Sequence, residues 1–144
     1  MADSHAQVGA LARKVFEYEK LIKELVARAK QPGYGRHDWA PLTAMIAIEK
    51  FERIGIWRER MTWNDYLDFM VPWAQSKDFD TRLRRITEAG NLVFFEIEEH
   101  HIKGDGVTII NSMNVYEFDD DGKICRLGVY IQGSLGSAAF RPPE

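Results

Sequence analysis

The stretch FFEIEEHHIKGDG, from Phe94 to Gly106, gathers the side chains best suited to moving a proton. Glu96, Glu98 and Glu99 precede His100 and His101. In an extended chain successive side chains point to opposite faces, so Glu99 and His101 share one face while Glu96, Glu98 and His100 share the other. A carboxylate held among apolar neighbours is desolvated, which lifts its pKa towards that of a useful general base. An imidazole titrates near neutrality in any case. The plain alternative is that Glu99 is solvated at a strand end, since Glu is seldom buried without a partner. A metal site is the other use of clustered Glu and His, but each face supplies two ligands and a third must come from elsewhere. Metal-free acid/base chemistry is the preferred reading, with no metal and no cofactor expected; no G-x-G-x-x-G or P-loop occurs.

Hairpin counting decides which residues accompany Glu99. Tight turns at Gly104-Asp105 and Asp121-Gly122 set His101 opposite Thr108, Glu99 opposite Ile110 and Ile97 opposite Ser112. Across the next hairpin Ser112 faces Ile131, Asn114 faces Val129 and Tyr116 faces Leu127. One face therefore carries Phe95, Ile97, Glu99, His101, Ser112, Asn114, Tyr116, Leu127, Val129 and Ile131. It is apolar with a few polar groups, and an uncharged polar group there needs a partner or a ligand. The opposite face carries Phe94, Met113 and Tyr130 among charges, more apolar matter than a solvated sheet face needs, which predicts a homodimer or small homo-oligomer.

The elements that position these residues run helices first, then sheet. From about Ala6 to Lys30, Val8, Leu11, Val15, Tyr18, Leu21, Ile22, Leu25 and Val26 recur at helical spacing, and Pro32-Gly33 ends the run. Asp38 reads as the N-cap of a short helix carrying Trp39, Leu42 and Met45. Residues 46–58 read as a strand, with Glu-Lys-Phe-Glu-Arg (49–53) as cross-strand charge pairing. Thr62 with Asp65 resembles a capping box that starts a third helix, disturbed at Pro72. Four strands follow, at about Asp80–Thr87, Leu92–Ile102, Val107–Phe118 and Lys123–Gln132, joined by EAGN, KGDG and DDDG. This is an α+β pattern, with helices over one face of a curved antiparallel sheet, in one domain spanning 1–144. The tail SLGSAAFRPPE reads as irregular.

Composition narrows the partners. A net charge of −3 without any Lys/Arg run disfavours nucleic acid. Cys125 is the sole cysteine, which rules out an internal disulfide and fits a cytoplasmic location. No stretch approaches the ~20 apolar residues of a membrane span. Four tryptophans (39, 57, 63 and 73) and eight phenylalanines are first of all core material, and would also suit an aromatic ligand.

The order of elements, the closing hairpin NVYEFDDDGKICRLGVYIQ and the segment HDWAPLTAM together resemble the nuclear-transport-factor-two-like superfamily. That group includes polyketide cyclase-like proteins, steroid isomerases, limonene epoxide hydrolases, scytalone dehydratases and some lyases of lignin-derived aromatics. The resemblance covers nearly the whole chain. It implies a cone-shaped sheet wrapped around a pocket. The Arg-x-Asp pair and last-strand Asp of the epoxide hydrolases are matched by Ile97, Glu99 and Val129, which disfavours that route. The steroid-isomerase acid on the first strand is matched by Glu52, and its first-helix tyrosine by Tyr18; the pocket groups of scytalone dehydratases are matched by His101, Tyr18 and Tyr34. The resemblance and the inner-face residues together imply a cofactor-independent lyase, dehydratase or isomerase acting on an apolar, aromatic small molecule, as in aromatic compound catabolism. The catalytic candidates are Glu99, His101, Asn114, Glu52 and Tyr34. Candidate substrate contacts are Tyr18, Trp57, Phe95, Ile97, Ser112, Tyr116, Leu127, Val129 and Ile131. The alternatives are a non-catalytic small-molecule binding protein and a protein-interaction module that uses the outer sheet face.

Overall fold

The computed structural model describes residues 9–76 and 78–133; the tail from Ser134 and the start of the expected first helix lie outside them. Helix α1 (Ala10–Arg28) buries Ala12, Val15, Tyr18, Ile22, Leu25 and Val26 along one stripe. Its N-terminus has no side-chain cap of its own and no acid in the first turn. The cap comes from the sheet instead: the Ala12 N–H donates to Glu88 Oε1 at 2.8 Å. A Cβ on Gly9 would lie 2.6 Å from that carboxylate, so a larger residue there would push the cap aside. Glu88→Ala is expected to lower stability by about 1 kcal/mol, the usual worth of a helix cap with its dipole contribution. A urea midpoint that falls with an unchanged slope is the expected readout, and an unmoved midpoint would show that the cap contributes nothing.

The short helical segment after Pro32 differs from expectation in its cap. A 3-10 turn (Arg36–Trp39) leads into α2 (Ala40–Thr43), and Gly35 rather than Asp38 is the N-cap. Asp38 sits at the third position and its Oδ2 accepts the Gly35 N–H at 2.9 Å, so the acid closes the turn from inside. The expected strand over 46–58 shrinks to β1 (Glu52–Ile54), with one isolated bridge between Ile46 and Ile124. Gly55 and the left-handed Arg58 (φ 67°) turn the chain back into β2 (Arg60–Met61). Helix α3 (Trp63–Ser76) starts on the expected box, with Asp65 N–H to Thr62 Oγ1 and Thr62 N–H to Asp65 Oδ2 both at 3.1 Å. It continues through Pro72; the carbonyl that proline leaves without its helical partner, that of Asp68, belongs to an exposed residue.

Strands β3 (Phe79–Ala89), β4 (Leu92–Lys103), β5 (Gly106–Phe118) and β6 (Ile124–Gln132) form an antiparallel meander. The sheet order is β2-β1-β6-β5-β4-β3. β1 joins β6 in parallel, so the sheet is mixed rather than wholly antiparallel: α3 and four strands intervene before the chain returns to β1. The expected register holds throughout, from His101 opposite Thr108 to Asn114 opposite Val129. Gly104 and Gly122 take the left-handed φ values of 60° and 74° that these turns demand. Register shifts at Leu83/Arg85 and at Glu117/Phe118 bend the sheet. Phe95, Ile97 and Leu127 are buried in the core with α1, and Val129 packs against them. This is the α+β cone that the sequence implied.

Candidate active site

The sheet register arranges the inner face in rows. Arg53 of β1, Leu127 of β6 and Tyr116 of β5 lie in one row across the sheet. Val129 and Asn114 form the next, Ile131, Ser112 and Ile97 the third, and Ile110 and Glu99 the fourth. α1 crosses above with Tyr18, Glu19 and Ile22, and α3 closes a side with Tyr66, Phe69, Met70 and Trp73. Together they enclose a cavity of about 540 Å³, within the range of small-molecule sites.

Glu19 is the chemical centre of this cavity. It is half-buried on the inward side of α1, and the Tyr116 hydroxyl donates to its Oε1. Burial pushes its carboxyl from the ordinary 4.5 up to about 7; the Tyr116 hydrogen bond opposes that rise, and the nearby negative charge of Glu99 adds to it. Tyr116 is 1% exposed, and burial, with the charge of Glu19 next, holds its hydroxyl well above the usual phenol range. It remains a proton donor at neutral pH. Its ring meets Tyr18 edge-on at 5.4 Å, and Phe95 supports it from the other side at 6.5 Å.

Four rows from Arg53, counting its own, Glu99 Oε1 faces His101 Nε2 at 3.0 Å, both half-buried on the cavity wall. Between these ends, the Ser112 hydroxyl donates to Asn114 Oδ1 at 3.3 Å. Ser112 is 2% exposed, and the bond leaves the Asn114 amide donors facing the cavity without another partner among the described residues. At the far end the Arg53 guanidinium stacks over Tyr66 at 4.9 Å from the ring centroid. Arg53 Nε and the Tyr18 hydroxyl are both shut off from solvent without a hydrogen-bond partner. The Tyr66 phenol lies beside both, and burial raises its pKa, but no well-formed bond joins it to either atom. Among the described residues no group of three His, Cys, Asp or Glu side chains converges as a metal-ligand set, and no helix is long and apolar enough to cross a membrane.

Of the candidates read from sequence, Glu99, His101, Asn114, Tyr18, Ile97, Ser112, Tyr116, Leu127, Val129 and Ile131 all line the cavity. Four do not. Glu52 faces away because its neighbour Arg53 faces in, and it pairs with Arg60 at 3.5 Å. Tyr34 is a structural brace: its hydroxyl accepts from Trp39 Nε1 and donates to Val71 O, each at 2.8 Å. Trp57 is 49% exposed in the β1–β2 connection. Phe95 is buried behind Tyr116 rather than on the cavity wall. Among the cavity residues that were not anticipated are Glu19, Arg53 and Tyr66. Glu19 was nonetheless signalled, because it falls four residues after Val15 and three before Ile22, inside the apolar stripe of α1. Arg53 was assigned to charge pairing and instead turns inward.

No family model matches the sequence, and no curated protein matches it either. Solved structures do match the fold. A nuclear-transport-factor-two-like protein of unknown function from Exiguobacterium sp. 255-15 superposes with a TM-score of 0.60 at 11% identity, over 81% of this chain and 99% of that one. An LEH-like epoxide hydrolase from M. tuberculosis gives 0.57 at 16% identity, over 81% and 84%. A putative SnoaL-like polyketide cyclase from Jannaschia sp. CCS1 gives 0.56 at 12% identity, over 78% and 86%.

Proposed function

From the premise that the chain has the nuclear-transport-factor-two-like fold, a fold that houses small-molecule chemistry in several neighbours, we propose that the cavity is the active site of a cofactor-independent acid/base enzyme. Its substrate is an apolar small molecule with an aromatic body, and its reaction is of the lyase, dehydratase or isomerase type. One observation carries this reading: a carboxyl on the cavity wall whose pKa of about 7 lets it take a proton and give it back at neutral pH.

Glu19 is the base, in place of Glu99. Its carboxylate removes a proton from carbon, and the Asn114 amide donors stabilise the oxyanion that develops on the substrate. The protonated carboxyl then returns the proton to another carbon, for isomerisation, or to a departing oxygen, for elimination. Tyr116 keeps Glu19 oriented. Glu99, paired with His101, keeps negative charge nearby and so helps to hold the Glu19 proton. Phe69, Trp73 and Ile97 supply apolar walls for a ring. Turnover by wild type and Glu19→Gln is the deciding experiment; equal turnover would leave a binding protein as the better reading.

The outer sheet face supports a homodimer. Its charges are already paired: Arg84 Nη2 to Glu98 Oε2 at 2.7 Å, His100 Nε2 to Glu98 Oε1 at 2.6 Å, and Arg85 Nε to Glu96 Oε2 at 2.6 Å. Between them Ile102, Val107, Ile109 and Tyr130 are exposed by 43%, 56%, 49% and 65%. A face with neutralised charges and exposed apolar side chains suits a second copy. Light scattering is expected to give a dimer mass that Tyr130→Lys shifts towards monomer. A wild-type monomer at high concentration would reject the assembly.

A further inference from the structure

Proton transfer by Glu19 leaves two polar groups of the cavity unused, Arg53 and Tyr18, which lie beside Tyr116 in and above the first row. Among the described residues Arg53 is the only Lys or Arg on the cavity wall. No described acid forms an ion pair with it: Glu52, next in sequence, pairs with Arg60. Glu99 lies three rows further along the sheet, about 20 Å along a flat strand at ~3.3 Å per residue. Glu19 is not held down by it either, since its carboxyl rises rather than falls. Arg53 is half-buried with its Nε shut off from water, and a guanidinium partly withdrawn from water without an anion is costly, as is a buried phenol hydroxyl without a well-formed bond. The two residues that carry these orphan donors, Arg53 and Tyr18, both line this one cavity. The Tyr66 ring holds the guanidinium in place from one face but offers it no negative charge.

We propose that Arg53 and Tyr18 form a binding site for the carboxylate of the substrate, so that the ligand class is an aromatic or similarly apolar carboxylic acid. The acid group docks between the guanidinium and the phenol hydroxyl. Its apolar body then lies along Leu127, Val129 and Met70, towards Glu19 and Asn114. Charge-assisted bonds to guanidinium are the natural complement of a planar carboxylate. The proposal rests on the cavity being the substrate site, but not on Glu19 being the base.

The test uses 2-naphthoate and its neutral isostere 2-naphthamide at pH 7.5, with binding followed by calorimetry. Wild type is expected to bind the acid at least about tenfold more tightly than the amide, the scale of a charge-assisted bond over a neutral one. Arg53→Met is expected to abolish that preference while still binding the amide, and Tyr18→Phe to reduce it. Equal affinity for acid and amide in wild type overturns the proposal without any variant needing to fold, as does failure of both to bind. A preference that survives Arg53→Met also overturns it. None of these failures touches proton abstraction by Glu19, which is read by turnover.

Discussion

Glu19→Gln loses turnover by about 10² to 10⁴, the usual contribution of a positioned general base. The substitution preserves shape, and the amide carbonyl still accepts from the Tyr116 hydroxyl. What disappears is basicity alone, so ligand affinity should stay close to wild type while kcat falls. In the wild type, the rate should rise with pH through a midpoint of about 7, as Glu19 gives up its proton. Glu99→Gln is the matched control. It removes a negative charge that helps to raise the Glu19 pKa, so it should move the midpoint to lower pH and retain most of the rate. If Glu99→Gln is the inactive variant and Glu19→Gln is not, the base is on β4 and the assignment reverses. If both retain full activity, the acid/base reading fails.

The same substitution should make the protein more stable at alkaline pH. Glu19 has an ordinary pKa of 4.5 and rises to about 7 in the fold. Between those values the folded chain holds a proton that the unfolded chain has released. Stability linked to this group is therefore complete below about 4.5, declines as pH rises, and is lost above about 7. The size is on the order of 2 to 3 kcal/mol, from 1.36 kcal/mol per pKa unit with some recovery from solvent. Glutamine has no charge to desolvate, so Glu19→Gln escapes the loss. Its melting temperature should exceed that of wild type at pH 8, and the gap should close by pH 5. A Glu19→Gln variant that is less stable at both pH values would mean that the carboxylate is an ordinary structural partner. Gained stability with lost turnover is the signature of a group kept for chemistry.

The two central hairpins were legible because their turns are. Gly104-Asp105 and Asp121-Gly122 fix where each strand begins, and period-two alternation does the rest, placing Glu99, Asn114 and Leu127 on one face. β1 was not legible in the same way. It is three residues long, its partner β6 is distant in sequence and parallel, and the connection to β2 is irregular. With no turn to count from, the resemblance alone points to Glu52, and its neighbour Arg53 is the residue that lines the cavity. Glu19 went unseen for another reason. The stripe of α1 is defined by its apolar members, and an acid among them leaves no mark on that periodicity, although the helices close the cone. Trp57 and Tyr34 show the limit of residue type as a guide: aromatic character suits a pocket, but one is exposed and the other braces α3.

The position of Arg53 carries a consequence for how such a protein diversifies. β1 is a three-residue strand near the sheet edge, tied mainly to β6 and β2, while Glu19 sits on the longest helix and Asn114 on the longest strand. The group that would choose the substrate and the group that would transform it are thus carried by separate parts of the chain, with different burdens of packing. Replacing Arg53 would then change what the cavity accepts and leave Glu19 and Asn114 in place. Drift in ligand preference can therefore run ahead of drift in chemistry, and a lineage built on this plan can try new acids, or lose its taste for acids, without rebuilding its catalytic machinery.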